Sequence, residues 1–148
     1  MKKPLILTLI FVALGAMVYF YNAYNKEHTD VSTADVLQEL TTSDLFAAFD
    51  ADVALATEQY AEQVITVSGS IYSIDLENEK EPQIVLQANG DDGFIRCGFA
   101  TAARSQVESL QEYSNIKIKG LCKGMNDAGD LDLLAERDVI LSDCIIID

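Results

Sequence analysis

The sequence predicts a mainly β domain, in which five strands form a barrel with a helix between the third and fourth strands. An amphipathic helix precedes the barrel, and an N-terminal transmembrane helix precedes both. Three observations support this prediction: an uncharged run near the N-terminus, five later segments with strand-like patterning, and two segments with helical periodicity. With 148 residues and a hydrophobic fraction of 49%, the chain can form one small packed domain.

Lys2 and Lys3 precede an uncharged run that begins at Leu5 and extends through Tyr24. As a helix this run is roughly 30 Å long, which is the thickness of a bilayer core. The two lysines and the acidic remainder of the chain orient the N-terminus inward. We therefore expect residues 1–24 to be a single-pass anchor in the inner (cytoplasmic) membrane, with the C-terminal domain in the periplasm. A cleaved signal peptide is the alternative, although the run ends in large aromatic residues where cleavage needs small ones.

Residues 25–42 are polar with irregularly spaced apolar positions, and we interpret them as a linker. From Ser43 onward apolar residues recur at spacings of three and four, which predicts an amphipathic helix. These residues are Phe46, Phe49, Val53, Ala56 and Tyr60. Thr42 or Ser43 can cap the first amide groups of the helix. The helix opens the third expected segment, residues 43–148, which also contains the barrel.

Five segments carry the pattern of β-strands. They extend over residues 64–74, 83–88, 94–99, 115–123 and 138–147. A segment with helical period, residues 102–113, separates the third strand from the fourth. Apolar residues of the last segment fall on both parities, which is typical of a strand covered on two sides. Three strands, a helix and two strands, with the first strand long and interrupted by Gly69, is the order of the oligonucleotide/oligosaccharide-binding (OB) barrel.

Several short motifs resemble the bacterial tRNA_anti-like family of OB-fold proteins. They are the helix that ends in Tyr60 and the segments at residues 64–69, 95–99, 118–124 and 141–144. Together with the N-terminal run, these motifs extend the resemblance over nearly the whole chain. The resemblance implies an OB fold in a small exported or membrane-anchored protein. It implies the fold and not tRNA binding.

Three cysteines, Cys97, Cys122 and Cys144, lie in the part of the chain that we expect to be exported. Thiols tend to oxidise outside the cytosol, so one disulfide and one buried thiol is a simple arrangement. Cys122 and Cys144 fall on adjacent strands of a predicted hairpin and form the candidate disulfide, with buried free thiols as the alternative. The single histidine, His28, precedes the folded domain, and no CxxC motif occurs. We therefore predict no metal site, no cofactor and no catalytic residues.

Lys117, Lys119 and Lys123 form a basic stripe on the fourth strand, which Arg96 and Tyr72 extend. These five residues are a weak candidate for a ligand-binding face. The alternative is that the lysines lie on the solvent side of the strand and are balanced by nearby acids. The chain has 24 acidic and 10 basic residues and a net charge of −14, which repels phosphate backbones. Nucleic acid is therefore not an expected partner.

These observations together predict a membrane-tethered OB-fold module that binds a protein, a peptide or a small molecule outside the cytoplasm. The absence of a recognisable catalytic set predicts that the protein is not an enzyme. Two alternatives stay open. One is a nucleic-acid-binding OB domain, as the fold suggests, and the other is an enzyme that uses paired carboxylates on a glycan.

Overall fold

The computed structural model describes residues 15–17, 31–78, 80–89, 93–126 and 137–147 of the chain. The chain divides into two units, residues 1–30 and residues 31–148. Within the described residues, we find no helix with the length and apolar character needed to cross a bilayer. Apart from a helical stretch at residues 15–17, the predicted transmembrane helix lies outside the described residues. The membrane anchor therefore stays a prediction.

Five strands close into a barrel. They are β2 (Val64–Asp75), β3 (Gln83–Asn89), β4 (Gly93–Phe99), β5 (Asn115–Asn126) and β6 (Asp138–Ile147), and a short strand, β1 (Glu39–Thr41), precedes them. The barrel strands follow the order β2-β3-β4-β6-β5, and β5 pairs again with β2. Within the barrel, neighbouring strands are antiparallel except β4 and β6, which are parallel. The predicted five-stranded OB barrel is confirmed.

Two helices precede the barrel where the sequence predicted one: α1 (Thr42–Ala51) and α2 (Val53–Tyr60). The break lies at Asp52, whose backbone is extended with φ −158° and ψ 99°. The Asp52 carboxylate accepts a hydrogen bond of 3.0 Å from the amide of Leu55, so this residue caps α2. Both helices keep the predicted apolar face. On this face the rings of Phe49 and Tyr60 lie together, with their centroids 6.2 Å apart.

The hydroxyl groups at the start of α1 differ in role from the prediction. Thr41 caps the helix by accepting a hydrogen bond from the amide of Asp44. Thr42 and Ser43, which were the predicted caps, instead donate their hydroxyl protons to backbone carbonyls of β3, the first of them at 2.8 Å to Gln87. These two bonds hold α1 against the barrel.

The interior of the barrel contains the inward-facing residues that the alternation predicted. The fully buried ones include Ile65, Val67, Ile71, Ile84, Leu86, Ile95 and Ile118. Leu45 and Phe49 of α1 belong to the same core. Between β4 and β5 a short 3-10 turn (Thr101–Ala103) leads into α3 (Arg104–Glu108), which is shorter than the predicted helix and adds Val107 to this core. Burying each large side chain contributes roughly 1.5–3 kcal/mol.

The predicted linker over residues 25–42 is packed against the barrel in its second part. Val31 is buried in a small cluster with Val64 and Leu121, on the outer side of the barrel. β1 then pairs in parallel with β2, and Leu40 lies opposite Val67. The second part of the linker packs because it covers apolar surface that β2 and β5 expose outward. The compact domain therefore begins at Val31 rather than at residue 43.

Bulges interrupt two strands of the barrel. In β2 the register with β3 shifts between Ile71 and Ser73, which leaves Tyr72 as an extra residue. In β6 the register with β4 shifts between Leu141 and Cys144, and Asp143 there has φ 52°. The second bulge explains why the apolar residues of β6 change parity. Such bulges turn a side chain toward the opposite face.

Candidate ligand-binding face

The three lysines of the predicted basic stripe each have a partner within the domain. Lys117 forms an ion pair with Glu39 of β1. Lys123 lies 3.1 Å from the carboxylate of Glu62. Lys119 is 8% exposed, and its ammonium group donates hydrogen bonds to backbone carbonyls in the segment before β1, at 2.8 Å and 3.4 Å. All three ammonium groups therefore already interact with groups of the same domain.

The other two predicted residues, Tyr72 and Arg96, lie together at a different place. They line a cavity of about 180 Å³ on the outer face of β2, β3 and β4. The remaining lining residues are Ser73, Asp75, Val85 and Phe94. The strands bring these side chains together because outward residues of neighbouring strands lie side by side, and the β2 bulge turns Tyr72 toward them. None of the three lysines lines this cavity.

Tyr72 and Phe94 form the aromatic part of the cavity. Their ring centroids are 4.9 Å apart, and the ring planes are inclined by 51°. Tyr72 is 42% exposed, whereas Phe94 is 8% exposed. The buried ring supports the exposed one, so that a ligand meets a fixed aromatic surface.

Arg96 is held at the edge of the cavity by Asp138, the first residue of β6. Two nitrogens of the guanidinium group donate to the same carboxylate oxygen, Oδ2, at 2.7 Å and 3.0 Å. A third nitrogen donates to the side chain of Gln83 at 3.5 Å. The Asp138 side chain is 5% exposed, and its other oxygen, Oδ1, has no hydrogen-bond partner among the described residues.

Sequence reasoning missed Asp138 as a site residue because it identified only a strand that begins there. The register of the parallel pair places Asp138 opposite Phe94, two residues before Arg96. A charged residue at the start of an apolar strand was the only available signal. The contact of Asp138 with Arg96 depends on the β4–β6 pairing, which connects segments more than forty residues apart.

A family model matches the sequence, and several solved structures match the fold. The tRNA_anti-like family model matches residues 1–134. The chain belongs to the tRNA_anti-like family. The resemblance that the motifs indicated is thus confirmed, and no curated protein matches the sequence.

Solved structures share the fold of this tRNA_anti-like domain at low sequence identity. One, from Klebsiella pneumoniae subsp. pneumoniae, is described as a "putative nucleic acid-binding lipoprotein"; it is 17% identical, with a TM-score of 0.57. The match covers 82% of this chain and 100% of that one. Another, a "putative aspartyl-tRNA synthetase" from Leishmania major, is 9% identical with a TM-score of 0.48, and the match covers 78% of this chain and 22% of that one. At 17% identity, the likeness to the Klebsiella protein shows the fold alone.

The three cysteines of the tRNA_anti-like domain are buried free thiols. The thiol of Cys144 lies near that of Cys97 and against Gly120, where an added Cβ would be 2.7 Å from the sulfur. Burial, and then the contact with Cys97, raise the pKa of Cys144 well above its usual value. Burial also raises the pKa of Cys122. The predicted disulfide between Cys122 and Cys144 is not formed in this structure, and the thiol contact of Cys144 is with Cys97.

Two further cavities lie in the described part of the domain. The larger, of about 590 Å³, is lined by Ser68 and Gly69 of β2, the start of β5, the end of β6 and Leu110. Lys117 is the one charged residue among the described residues of this lining. The other, of about 280 Å³, has both Glu81 and Asp143 in its lining, together with Lys80 and Ser142. Neither cavity has an aromatic pair like that of Tyr72 and Phe94 among the described residues.

Proposed function

We propose that this protein is a membrane-tethered, extracytoplasmic binding module that takes a protein, peptide or small-molecule ligand on the outer face of β2, β3 and β4. One observation carries the proposal: an exposed tyrosine, supported by a buried phenylalanine, lines a cavity beside a positioned arginine. An aromatic surface with a few fixed polar groups is typical of ligand sites. The proposal assigns no catalytic residue, metal or cofactor.

The membrane tether rests on the sequence. The uncharged run from Leu5 through Tyr24 has the length of a bilayer span, and two lysines precede it. All 24 acidic residues follow this run, and acidic residues do not hinder export of the domain that contains them. The extracytoplasmic location sets the class of partner, because a tethered periplasmic domain meets exported proteins, peptides and small molecules.

Nucleic acid is the second candidate ligand. OB-fold proteins that bind single strands use aromatic side chains on which bases stack, and arginine adds a cation–π contribution. Tyr72, Phe94 and Arg96 provide those side-chain types on one face. The Klebsiella protein with the same fold is described as nucleic-acid-binding. The net charge of −14 and the ion-paired lysines oppose this candidate, because phosphate binding requires available basic residues.

The binding role is tested with the full chain in detergent, using two probes. The first is a display library of short peptides, and the second is a set of fluorescent single-stranded oligo(dT) and oligo(U). Tyr72→Ala is compared with Tyr113→Ala, because Tyr113 is 74% exposed and does not line the cavity. We expect that at least one probe binds the wild type, binds Tyr72→Ala more weakly and binds Tyr113→Ala with the affinity of the wild type. Equal binding to both variants, or no binding of either probe class, contradicts the proposal.

The location is tested separately by adding protease to intact spheroplasts. A tag after residue 148 is expected to be degraded without lysis, because the domain lies outside the cytoplasmic membrane. Recovery of the untouched chain in the soluble cytosolic fraction contradicts the tether and the extracytoplasmic role together.

A further inference from the structure

We infer that the cavity beside Tyr72 receives a cationic side chain, a lysine or an arginine, from a partner protein or peptide. This inference rests on the proposed function, because it names the chemistry of the ligand that the binding face recognises. Three observations support it: the carboxylates at the cavity, the aromatic pair and the way in which Arg96 is engaged.

One guanidinium and two carboxylates lie at or next to the cavity: Arg96 and Asp75 line it, and Asp138 pairs with Arg96. Asp138 balances the charge of the Arg96 guanidinium, which donates two hydrogen bonds to its carboxylate. The carboxylate of Asp75 also lines the cavity, and its Oδ1 atom accepts a hydrogen bond of 2.9 Å from the amide of Glu77. Among the described residues, this carboxylate forms no salt bridge. An incoming anion would meet an arginine that is already paired. An incoming cation would meet an available carboxylate.

Asp138 adds a second carboxylate beside Arg96, without lining the cavity itself. Its side chain is 5% exposed, and its Oδ1 atom has no hydrogen-bond partner among the described residues. A buried carboxylate oxygen without a partner is costly, so such groups are normally satisfied by a donor. The β4–β6 register places this residue opposite Phe94, within the same face. Ammonium and guanidinium groups are positively charged and carry only donors, so the carboxylates of Asp75 and Asp138 favour them over an anion.

The aromatic pair and the size of the cavity fit one long basic side chain. A cation is attracted to the face of a tyrosine or phenylalanine ring within about 6 Å of its centroid. The cavity of about 180 Å³ is smaller than the roughly 300–1,000 Å³ of pockets that enclose whole small molecules. A single lysine or arginine side chain inserted from a protein surface is an occupant of suitable size, with its aliphatic part against Val85 and Phe94.

The charge of the whole chain favours the same partner. A net charge of −14 attracts basic surfaces over long range and accelerates their encounter. The lysines that could otherwise attract anions are engaged by Glu39, Glu62 and the segment before β1. The partner is therefore a protein or peptide segment with an exposed basic residue.

The experiment is a calorimetric titration of the full chain in detergent with short glycine–serine peptides that carry one central residue. The probes are a lysine peptide, an arginine peptide and the neutral acetyl-lysine peptide, and oligo(dT) is the anionic probe. The lysine or arginine peptide is expected to bind at least about fivefold more tightly than the acetyl-lysine peptide, because acetylation removes the charge. Tyr72→Ala and Asp75→Asn are each expected to weaken this binding about fivefold. Glu58→Gln is the matched control, since Glu58 is an exposed acid of α2 outside the cavity and its removal changes the net charge equally.

The outcomes separate this inference from the proposed function. Equal affinity for the charged and acetylated peptides, or equal effects of Asp75→Asn and Glu58→Gln, overturns the inference. Binding of oligo(dT) or of a neutral peptide that depends on Tyr72 overturns the inference and leaves the binding role in place. If no probe shows binding that depends on Tyr72, both the inference and the proposed function are overturned.

Discussion

Lys119→Met is expected to destabilise the domain, whereas Lys123→Met is not, although both lysines lie on the outward side of β5. The Lys119 ammonium group is buried and donates to the carbonyl of Ala34 at 2.8 Å. A hydrogen bond from a charged group contributes about 1.5–3 kcal/mol. Methionine keeps the packing of the aliphatic stem, so the expected loss of unfolding free energy is about 2 kcal/mol. The exposed pair of Lys123 and Glu62 contributes about 0–1 kcal/mol.

The measurement is urea unfolding of the full chain in detergent, followed by far-UV circular dichroism because the sequence has no tryptophan. Limited digestion with a protease specific for glutamate provides a second measurement. The Glu39 side chain is already exposed, but its backbone is paired in β1, and loss of the Lys119 contact is expected to release this backbone for cleavage. Both substitutions remove an ammonium group from β5, in one case from a buried contact with backbone carbonyls and in the other from an exposed ion pair. Equal changes in stability, or unchanged cleavage at Glu39 in Lys119→Met, would refute the conclusion that Lys119 holds the segment before β1 on the barrel.

Three further predictions concern packing, pH and helix capping. Gly120→Ala is expected to lower the free energy of unfolding by about 1–3 kcal/mol, because the added Cβ meets the Cys144 sulfur. Adding Cys144→Ala is expected to recover part of this loss, and additive losses in urea unfolding contradict the prediction. Burial raises the pKa of the folded Cys144 thiol, so stability is full below the unfolded pKa of about 8.5 and falls as pH rises above it. Urea midpoints between about pH 7 and about pH 10 test this, and an equally steep fall in Cys144→Ala opposes it. Asp52→Ala is expected to cost about 1 kcal/mol through loss of the α2 cap, whereas an unchanged thermal midpoint argues against that role.

Strand alternation predicted the barrel but not the exceptions to alternation. The inward residues of β2 and β5 followed a period of two, and the OB order followed from the succession of elements. The bulges at Tyr72 and Asp143 were not predictable, because one extra residue in a strand is defined by the register of its partner. The break at Asp52 was accessible in principle, since aspartate favours N-cap positions.

The candidate site was only half predictable for a related reason. Tyr72 and Arg96 were named from residue type alone, and the structure brings them together at one cavity. Lys117 and Lys119 were grouped with them because they lie on one side of a strand, but residues 31–41 cover that side. A polar segment with irregular apolar positions carries no periodic signal, so its packing depends on surface that the folded barrel presents.

The most direct test of the central claim is to map the ligand contact on the protein by NMR. The isotopically labelled full chain in detergent micelles is titrated with the arginine peptide. Chemical-shift changes are predicted to concentrate at Tyr72, Asp75 and Phe94 and to vanish in Tyr72→Ala. Changes centred instead on the larger cavity near Ile116 and Lys117 would show that the ligand uses a different surface and would contradict the account.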